Sequence, residues 1–167
     1  MKTHQEILIN EELIYFSKAN LKLCVYQNKQ FRWLCINDVV QSIMDKSEPW
    51  RLTMPHQEAI VQPLKQHDSV KKILECGLGG GNIARYLTHH HSNIKLTSIE
   101  SSPLVVGLFQ QYFNPTHIAL NVENTSTLEF VKTTQEYFEW IIADMFVDLN
   151  SPSLYDQHLL SLYSDKV

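Results

Sequence analysis

An apolar strand that runs straight into a glycine-rich turn and then a helix constrains this chain more than any other feature. The stretch reads Lys72-Ile-Leu-Glu75-Cys-Gly77-Leu-Gly79-Gly-Gly81, followed by a helical pattern over Ile83–Leu87. Residues without a Cβ let such a turn bend sharply and let a ligand lie against its backbone. A second apolar strand, Lys95–Ile99, ends on Glu100, where a carboxylate can accept both hydroxyls of a ribose. Strand, glycine turn, helix, strand and acid together predict a pocket for a nucleoside-bearing small molecule.

The dinucleotide fingerprint G-x-G-x-x-G/A fails when counted from Gly77, because its last position is Asn82. It fits from Gly79 through Gly81 to Ala84, but only by leaving Glu75 and three more residues between strand and turn. A carboxylate at a strand end repels a pyrophosphate and welcomes the ammonium of a methionine-like moiety. The pattern favours S-adenosylmethionine or a relative over a nicotinamide or flavin dinucleotide, with a ligand-free structural turn as the blander alternative.

At 167 residues and 44% hydrophobic, the chain can bury a real core. Its net charge of −4, with 14 scattered Lys and Arg, argues against nucleic acid and other polyanions. No apolar run reaches membrane-span length, the N-terminus lacks a signal-peptide core, and three cysteines do not make a secreted disulfide framework, so a cytoplasmic location is expected. His89-His90-His91 point about 100° apart and cannot grip one ion together, so no metal is expected.

Glu11–Lys18 reads as a short helix or a loose lead-in. Leu21–Gln27 and Gln30–Ile36 form a hairpin around Asn28-Lys29, and Asn37-Asp38 turns into a third strand, Val39–Met44. That turn sets Cys24 opposite Trp33, leaving Cys35 diagonal to Cys24 at about 7–8 Å, too far for a bridge. Leu21, Leu23, Val25, Leu34 and Ile36 fall on one face, and Cys24, Tyr26, Phe31, Trp33 and Cys35 on the other. A hairpin apolar on both faces wants cover on both sides, here its own domain and a second copy of the chain.

The boundary falls at Glu48-Pro49-Trp50-Arg51, giving an N-terminal β-hairpin domain over residues 1–50 and a nucleoside-binding domain over 51–167. A helix over Pro55–Gln66, with a kink at Pro63, leads into alternating elements. These are strands Lys72–Glu75, Lys95–Ile99, His117–Asn121 and Glu139–Ala143, interleaved with helices Ile83–Thr88, Pro103–Phe113 and Leu128–Thr133, then a last helix from Leu154. Such alternation gives an α/β fold with a parallel, doubly wound sheet in the order 3-2-1-4. A complete sheet of this type usually has about six or seven strands, against four here. The fourth would be an open edge of Trp140, Ile141 and Ile142, so a C-terminally truncated chain, or an edge covered by a partner, is expected.

Several segments, taken in order, carry a resemblance: Phe31-Arg-Trp-Leu-Cys-Ile-Asn-Asp-Val-Val-Gln-Ser-Ile-Met44, His56-Gln57-Glu58, Gly77-Leu-Gly-Gly-Gly81, Ile99-Glu100-Ser-Ser-Pro-Leu-Val-Val106 with Tyr112-Phe113, and Trp140-Ile-Ile-Ala-Asp144. In them the chain resembles the spermidine synthase family of aminopropyltransferases, and within it the methyltransferase-like relatives. The resemblance implies an N-terminal hairpin domain that mediates homodimer contacts and a Rossmann-like domain of the S-adenosylmethionine-dependent methyltransferase fold. It also implies transfer of an aminopropyl group from decarboxylated S-adenosylmethionine to a polyamine, with Asp144 as the carboxylate that helps deprotonate the attacking amine. Glu75, Gly77, Gly79 and Gly81 would line the methionine side, Glu100 the ribose and Asn124 the adenine edge, while His56, Gln57 and Glu58 would meet substrate.

The chain departs from the family pattern at several points. Gly80 stands where the family has an aspartate that holds the aminopropyl amine, and Asn124 where it has an aspartate at the adenine. Val147 replaces a second acid, with Asp148 one place late, and His56 replaces a tyrosine. Two alternatives follow: a methyltransferase of unknown acceptor using intact S-adenosylmethionine, and a non-catalytic truncated homologue that only self-associates.

Overall fold

In the computed structural model, which describes residues 8–19, 21–67 and 69–145, the chain builds two four-stranded sheets. The first is an antiparallel meander in the order β1-β2-β3-β4, comprising β1 (Glu12–Lys18), β2 (Lys22–Gln27), β3 (Phe31–Ile36) and β4 (Val39–Asp45). Strand β1 corrects the helical reading of its segment. Ile14, Tyr15 and Phe16 are β-branched or aromatic, and β1 pairs along the free edge of β2, with Phe16 opposite Cys24.

The hairpin register also differs from expectation. The Asn28 side-chain carbonyl accepts the N–H groups of Gln30 (3.0 Å) and Phe31 (2.7 Å), and the Asn28 N–H donates to the Phe31 carbonyl (2.9 Å). This lengthens the loop, pairs Gln27 with Arg32, and sets Cys24 directly opposite Cys35. Both thiols are buried and unbridged, and burial pushes the Cys35 thiol up to about 11, so it stays protonated. At the next turn Asn37 and Asp38 take left-handed φ values of 49° and 65°, the geometry of a tight two-residue hairpin. Leu34 then pairs with Ser42 but Cys35 with Val40, leaving Gln41 as the extra residue of a β-bulge.

The two faces of this sheet sort as the alternation predicts. Leu23, Val25, Leu34 and Ile36 join the main core with Leu78, Ile83 and Phe109. Cys24, Phe31, Trp33, Cys35 and Ile43 form a second cluster, with Leu8 and Val40 packed on it. Trp33 is only 1% exposed, whereas Leu13 and Phe16, opposite Tyr26 and Cys24 on the same face, are half exposed.

The second sheet is parallel, in the order β7-β6-β5-β8, which is the predicted 3-2-1-4. Its strands are β5 (Lys72–Cys76), β6 (Lys95–Ile99), β7 (Asn121–Glu123) and β8 (Trp140–Ala143). The helices are α1 (Pro55–Val61), α2 (Asn82–His90), α3 (Pro103–Leu108) and α4 (Thr127–Thr133). Pro63 ends α1 and opens a 3₁₀ turn, Pro63–Gln66, and α3 continues as a π-helical turn, Phe109–Phe113. Strand β7 begins later than expected, because the Asn114 side chain binds both backbone groups of Ile118 and His117 is left-handed, holding that stretch as a loop. Among the described residues β8 is an edge of the sheet. The helix expected from Leu154, and Val147 and Asp148, lie outside the described residues. No helix among the described residues is long and apolar enough to cross a membrane.

Candidate functional site

The carboxyl ends of β5, β6 and β8 open onto one cavity of about 820 Å³, roofed by β4 of the antiparallel sheet. Its geometry begins with the glycine turn. Gly77 has φ 94°, and its N–H donates to the Ile99 carbonyl at 2.9 Å. A Cβ there would lie 2.5 Å from the Asp144 carbonyl oxygen, so only glycine lets the ends of β5 and β8 approach this closely. Gly80 meets the other sheet: its N–H donates to the Ser42 hydroxyl at 2.8 Å, and a Cβ would lie 2.5 Å from the Ser42 Cβ.

A buried polar network holds this turn from behind. The Arg85 guanidinium, on α2, donates to the carbonyls of Pro49 (2.6 Å), Phe113 (2.8 Å) and Gly80, and to the Asn82 amide oxygen (2.8 Å). Asn82 in turn donates to the Ile43 carbonyl (2.7 Å) and to Gln57 Oε1 (3.2 Å). Arg85 therefore ties the glycine turn to the loop after β4 and to the end of the π-helical turn without a carboxylate partner, and burial pulls its pKa down to about 9 against the opposing charge of Glu75.

Three carboxylates reach the cavity. Glu100 accepts the Gly79 N–H on Oε2 (3.2 Å) and the Ser102 N–H on Oε1 (2.9 Å), which fixes its orientation and leaves each oxygen a lone pair for a diol. Asp144 follows β8, partly buried. Burial raises its pKa, and His56, whose Nε2 lies 3.8 Å from Oδ1, acts in the other direction. Glu75 is 1% exposed, and burial pushes its carboxyl up to about 8, with the Asp144 charge adding to the rise. The Ser98 hydroxyl, donating to Glu75 Oε2 at 2.5 Å, and the Ala84 N–H oppose that rise.

Of the residues singled out from sequence, Glu75, Gly77, Gly79, Glu100, Asp144, His56 and Gln57 line this cavity. Three do not. Gly81 precedes α2 and packs against the Phe109 ring. Asn124 donates to the Glu100 carbonyl at 2.7 Å, bracing the loop from outside. Glu58 pairs with Lys65 on the surface. The roof residues Val40, Gln41 and Ser42 were not anticipated, since only the bulge in β4 turns that strand toward the cavity. Ser126 and Thr127, at the start of α4, were also missed, although a serine before a helical run is a readable cap and Ser126 accepts the Glu129 N–H.

Among the described residues no Lys or Arg lines the cavity, and no group of three or more His, Cys, Asp or Glu is placed to hold a metal ion. His89 instead stacks on Trp50 at 4.1 Å, and His90 lies against Tyr86 at 4.4 Å.

Residues 54–167 match the family model described as the spermine/spermidine synthase domain. The polyamine aminopropyltransferase of Buchnera aphidicola subsp. Acyrthosiphon pisum (strain Tuc7) is 27% identical over 143 residues, covering 80% of this chain and 48% of the relative. The chain spans about half the length of the curated relatives it matches. Among solved structures, the spermidine synthase of Thermotoga maritima superposes with a TM-score of 0.70 at 19% identity, over 93% of this chain and 53% of that one. Human methyltransferase-like protein 13 in complex with SAH superposes with a TM-score of 0.59 at 16% identity, over 68% and 60%. These likenesses establish a fold shared by the two groups.

Proposed function

Since the chain belongs to the spermine/spermidine synthase family, we propose that it is a cytoplasmic transferase that binds decarboxylated S-adenosylmethionine and moves its aminopropyl group to a polyamine. The observation that carries this reading is the acidic lining of the cavity. Glu75, Glu100 and Asp144 line it and, among the described residues, no Lys or Arg does. A donor with a sulfonium and an ammonium but no carboxylate suits such a wall, and so does a cationic amine acceptor.

Glu100 meets the ribose, and the turn from Gly77 to Gly79 meets the chain bearing the sulfonium. Asp144 takes a proton from the acceptor ammonium. The neutral amine then attacks the methylene carbon next to sulfur: the C–N bond forms, the C–S bond breaks with its electrons on sulfur, and methylthioadenosine leaves. His56, half exposed and 3.8 Å from Asp144, is the imidazole beside that carboxylate. Leu13 and Phe16 on the edge strand β1, 51% and 54% exposed, support self-association through the antiparallel sheet.

One observation favours a second reading. Gly80 faces Ser42 with no room for a side chain, so no acid within the turn can hold an aminopropyl ammonium. Intact S-adenosylmethionine, and methyl transfer, would suit that turn better. Calorimetric titration with decarboxylated S-adenosylmethionine, S-adenosylmethionine and methylthioadenosine separates the two, with light scattering for mass and mass spectrometry of the products formed with putrescine or spermidine. Tighter binding of the decarboxylated form and release of methylthioadenosine support the aminopropyltransferase, and preference for the intact form supports the methyltransferase. No binding by a folded sample sinks both and leaves a non-catalytic homologue.

A further inference from the structure

Glu75 is the least solvated of the three cavity carboxyls, and the buried cation near it, Arg85, gives its hydrogen bonds to other acceptors. It sits near the end of β5, paired with Ser98 on one side and Ile142 on the other, and lines the cavity floor. From β6 the Ser98 hydroxyl donates to it. From α2 come the Ala84 N–H and, through space, Arg85, whose guanidinium is spent on three backbone carbonyls and Asn82. From the end of β8 comes Asp144, a like charge. No described residue forms an ion pair with Glu75. A carboxyl in that setting awaits a cation from outside.

We infer that Glu75 is a proton-exchanging cation sensor: it holds a proton in the free protein and releases it to solvent when a sulfonium or ammonium ligand enters the cavity. This rests on the nucleoside-sulfonium reading above, whichever group is transferred. The balance is simple: the neutral carboxyl and the cationic ligand give a carboxylate–cation pair and one proton in bulk water. The driving force is the Coulomb attraction of two charges in a poorly solvated site, which offsets the burial that keeps the free carboxyl neutral, with a pKa of about 8.

The exchange has a direction that serves turnover. Either transfer converts the sulfonium to a neutral thioether, so the nucleoside product no longer offers Glu75 the sulfonium charge. The carboxyl then recaptures a proton, and the product loses an attraction that the substrate enjoyed. Cationic substrate and neutral product are told apart by a charge that the reaction itself destroys.

Calorimetry at pH 7 in two buffers of very different ionisation enthalpy tests this directly. Binding of S-adenosylmethionine or its decarboxylated form is expected to release close to one proton, about 0.9 for a group of pKa 8, and methylthioadenosine almost none. Apparent affinity for the cationic ligands should rise nearly tenfold per pH unit from pH 6 to 7.5. Glu75→Gln, nearly isosteric, should abolish both effects. As a ligand-free check, carbon-13 NMR of the glutamate carboxyls should find one that titrates near pH 8 and is missing from Glu75→Gln. Cationic ligands that bind with no buffer dependence, or proton release that survives Glu75→Gln, would overturn the inference while leaving the transferase reading intact. Failure of all three ligands to bind would overturn both.

Discussion

The Ser42 hydroxyl, carried by the bulged strand of the antiparallel sheet, accepts the Gly80 N–H at 2.8 Å, and the two residues touch so closely that Gly80 has no room for a Cβ. This contact joins the roof of the cavity to the turn on its floor. Gly80→Ala is therefore expected to destabilise the fold by about 1–3 kcal/mol through overpacking. Ser42→Gly in the same chain should recover part of that loss, because it removes the obstructing Cβ. A double-mutant cycle by urea unfolding measures the coupling, and additive effects of the two substitutions would show that the contact is absent.

Much of this site was legible because its signals are local. The order of β7, β6, β5 and β8 follows from alternating elements, and the glycine turn declares itself between an apolar strand and a helix. What escaped depends on single side chains acting at a distance. The hairpin register turned on the Asn28 amide, which captures two N–H groups, lengthens the loop and moves Cys24 opposite Cys35. Ser42 entered the cavity through a bulge at Gln41 that leaves no mark on the apolar pattern of Val39–Met44. Nothing in the helical run Ile83–Leu87 marks Arg85 as interior, yet it lies fully buried because three carbonyls from three segments converge on it.

Arg85 thus carries a second prediction. Arg85→Ala would strand the carbonyls of Pro49, Gly80 and Phe113 in the interior, a loss of about 3 kcal/mol or more. Arg85→Lys keeps the charge but not the planar fork that reaches three directions, so it should restore only a minority of that stability. Thermal unfolding of the three proteins checks the ranking, and a lysine variant as stable as the parent would show that charge alone matters.

The Glu75 carboxyl makes a prediction about pH. Its folded value of about 8 lies above its ordinary 4.5, so its neutral form is the one the fold accommodates. That contribution is complete below about pH 4.5 and is lost as pH rises toward 8. Asp144 is raised too and acts in the same sense nearer its own range. Burial also pushes the Asp45 carboxyl up, but hydrogen bonds from Ser47, Gln30 and Glu48 leave it below its ordinary range, so it acts oppositely and only in stronger acid. Urea unfolding between pH 5 and 8 should therefore show stability falling by up to about 4 kcal/mol, and Glu75→Gln should flatten the slope. A profile unchanged by that substitution would contradict the burial assigned to this carboxyl.

Asp144 and Glu100 face the same cavity, but they should fail differently when neutralised. Asp144→Asn removes the base that takes the acceptor's proton while leaving the glycine turn and ribose site intact. Transfer is expected to drop by about 10²–10⁴-fold with methylthioadenosine binding almost unchanged. Glu100→Gln does the reverse. Its new amide must face either the Gly79 or the Ser102 N–H, a donor against a donor, and the charge that accepts the ribose hydroxyls is gone. Nucleoside affinity should weaken by about 1.5–3 kcal/mol, roughly 10- to 150-fold, and it should weaken equally for methylthioadenosine and the sulfonium ligands, since all share the ribose. Calorimetry of both variants with both ligand types separates the roles: a Glu100→Gln defect confined to the cationic ligands would mean that Glu100 acts by charge at the sulfonium and not by hydrogen bonding at the sugar.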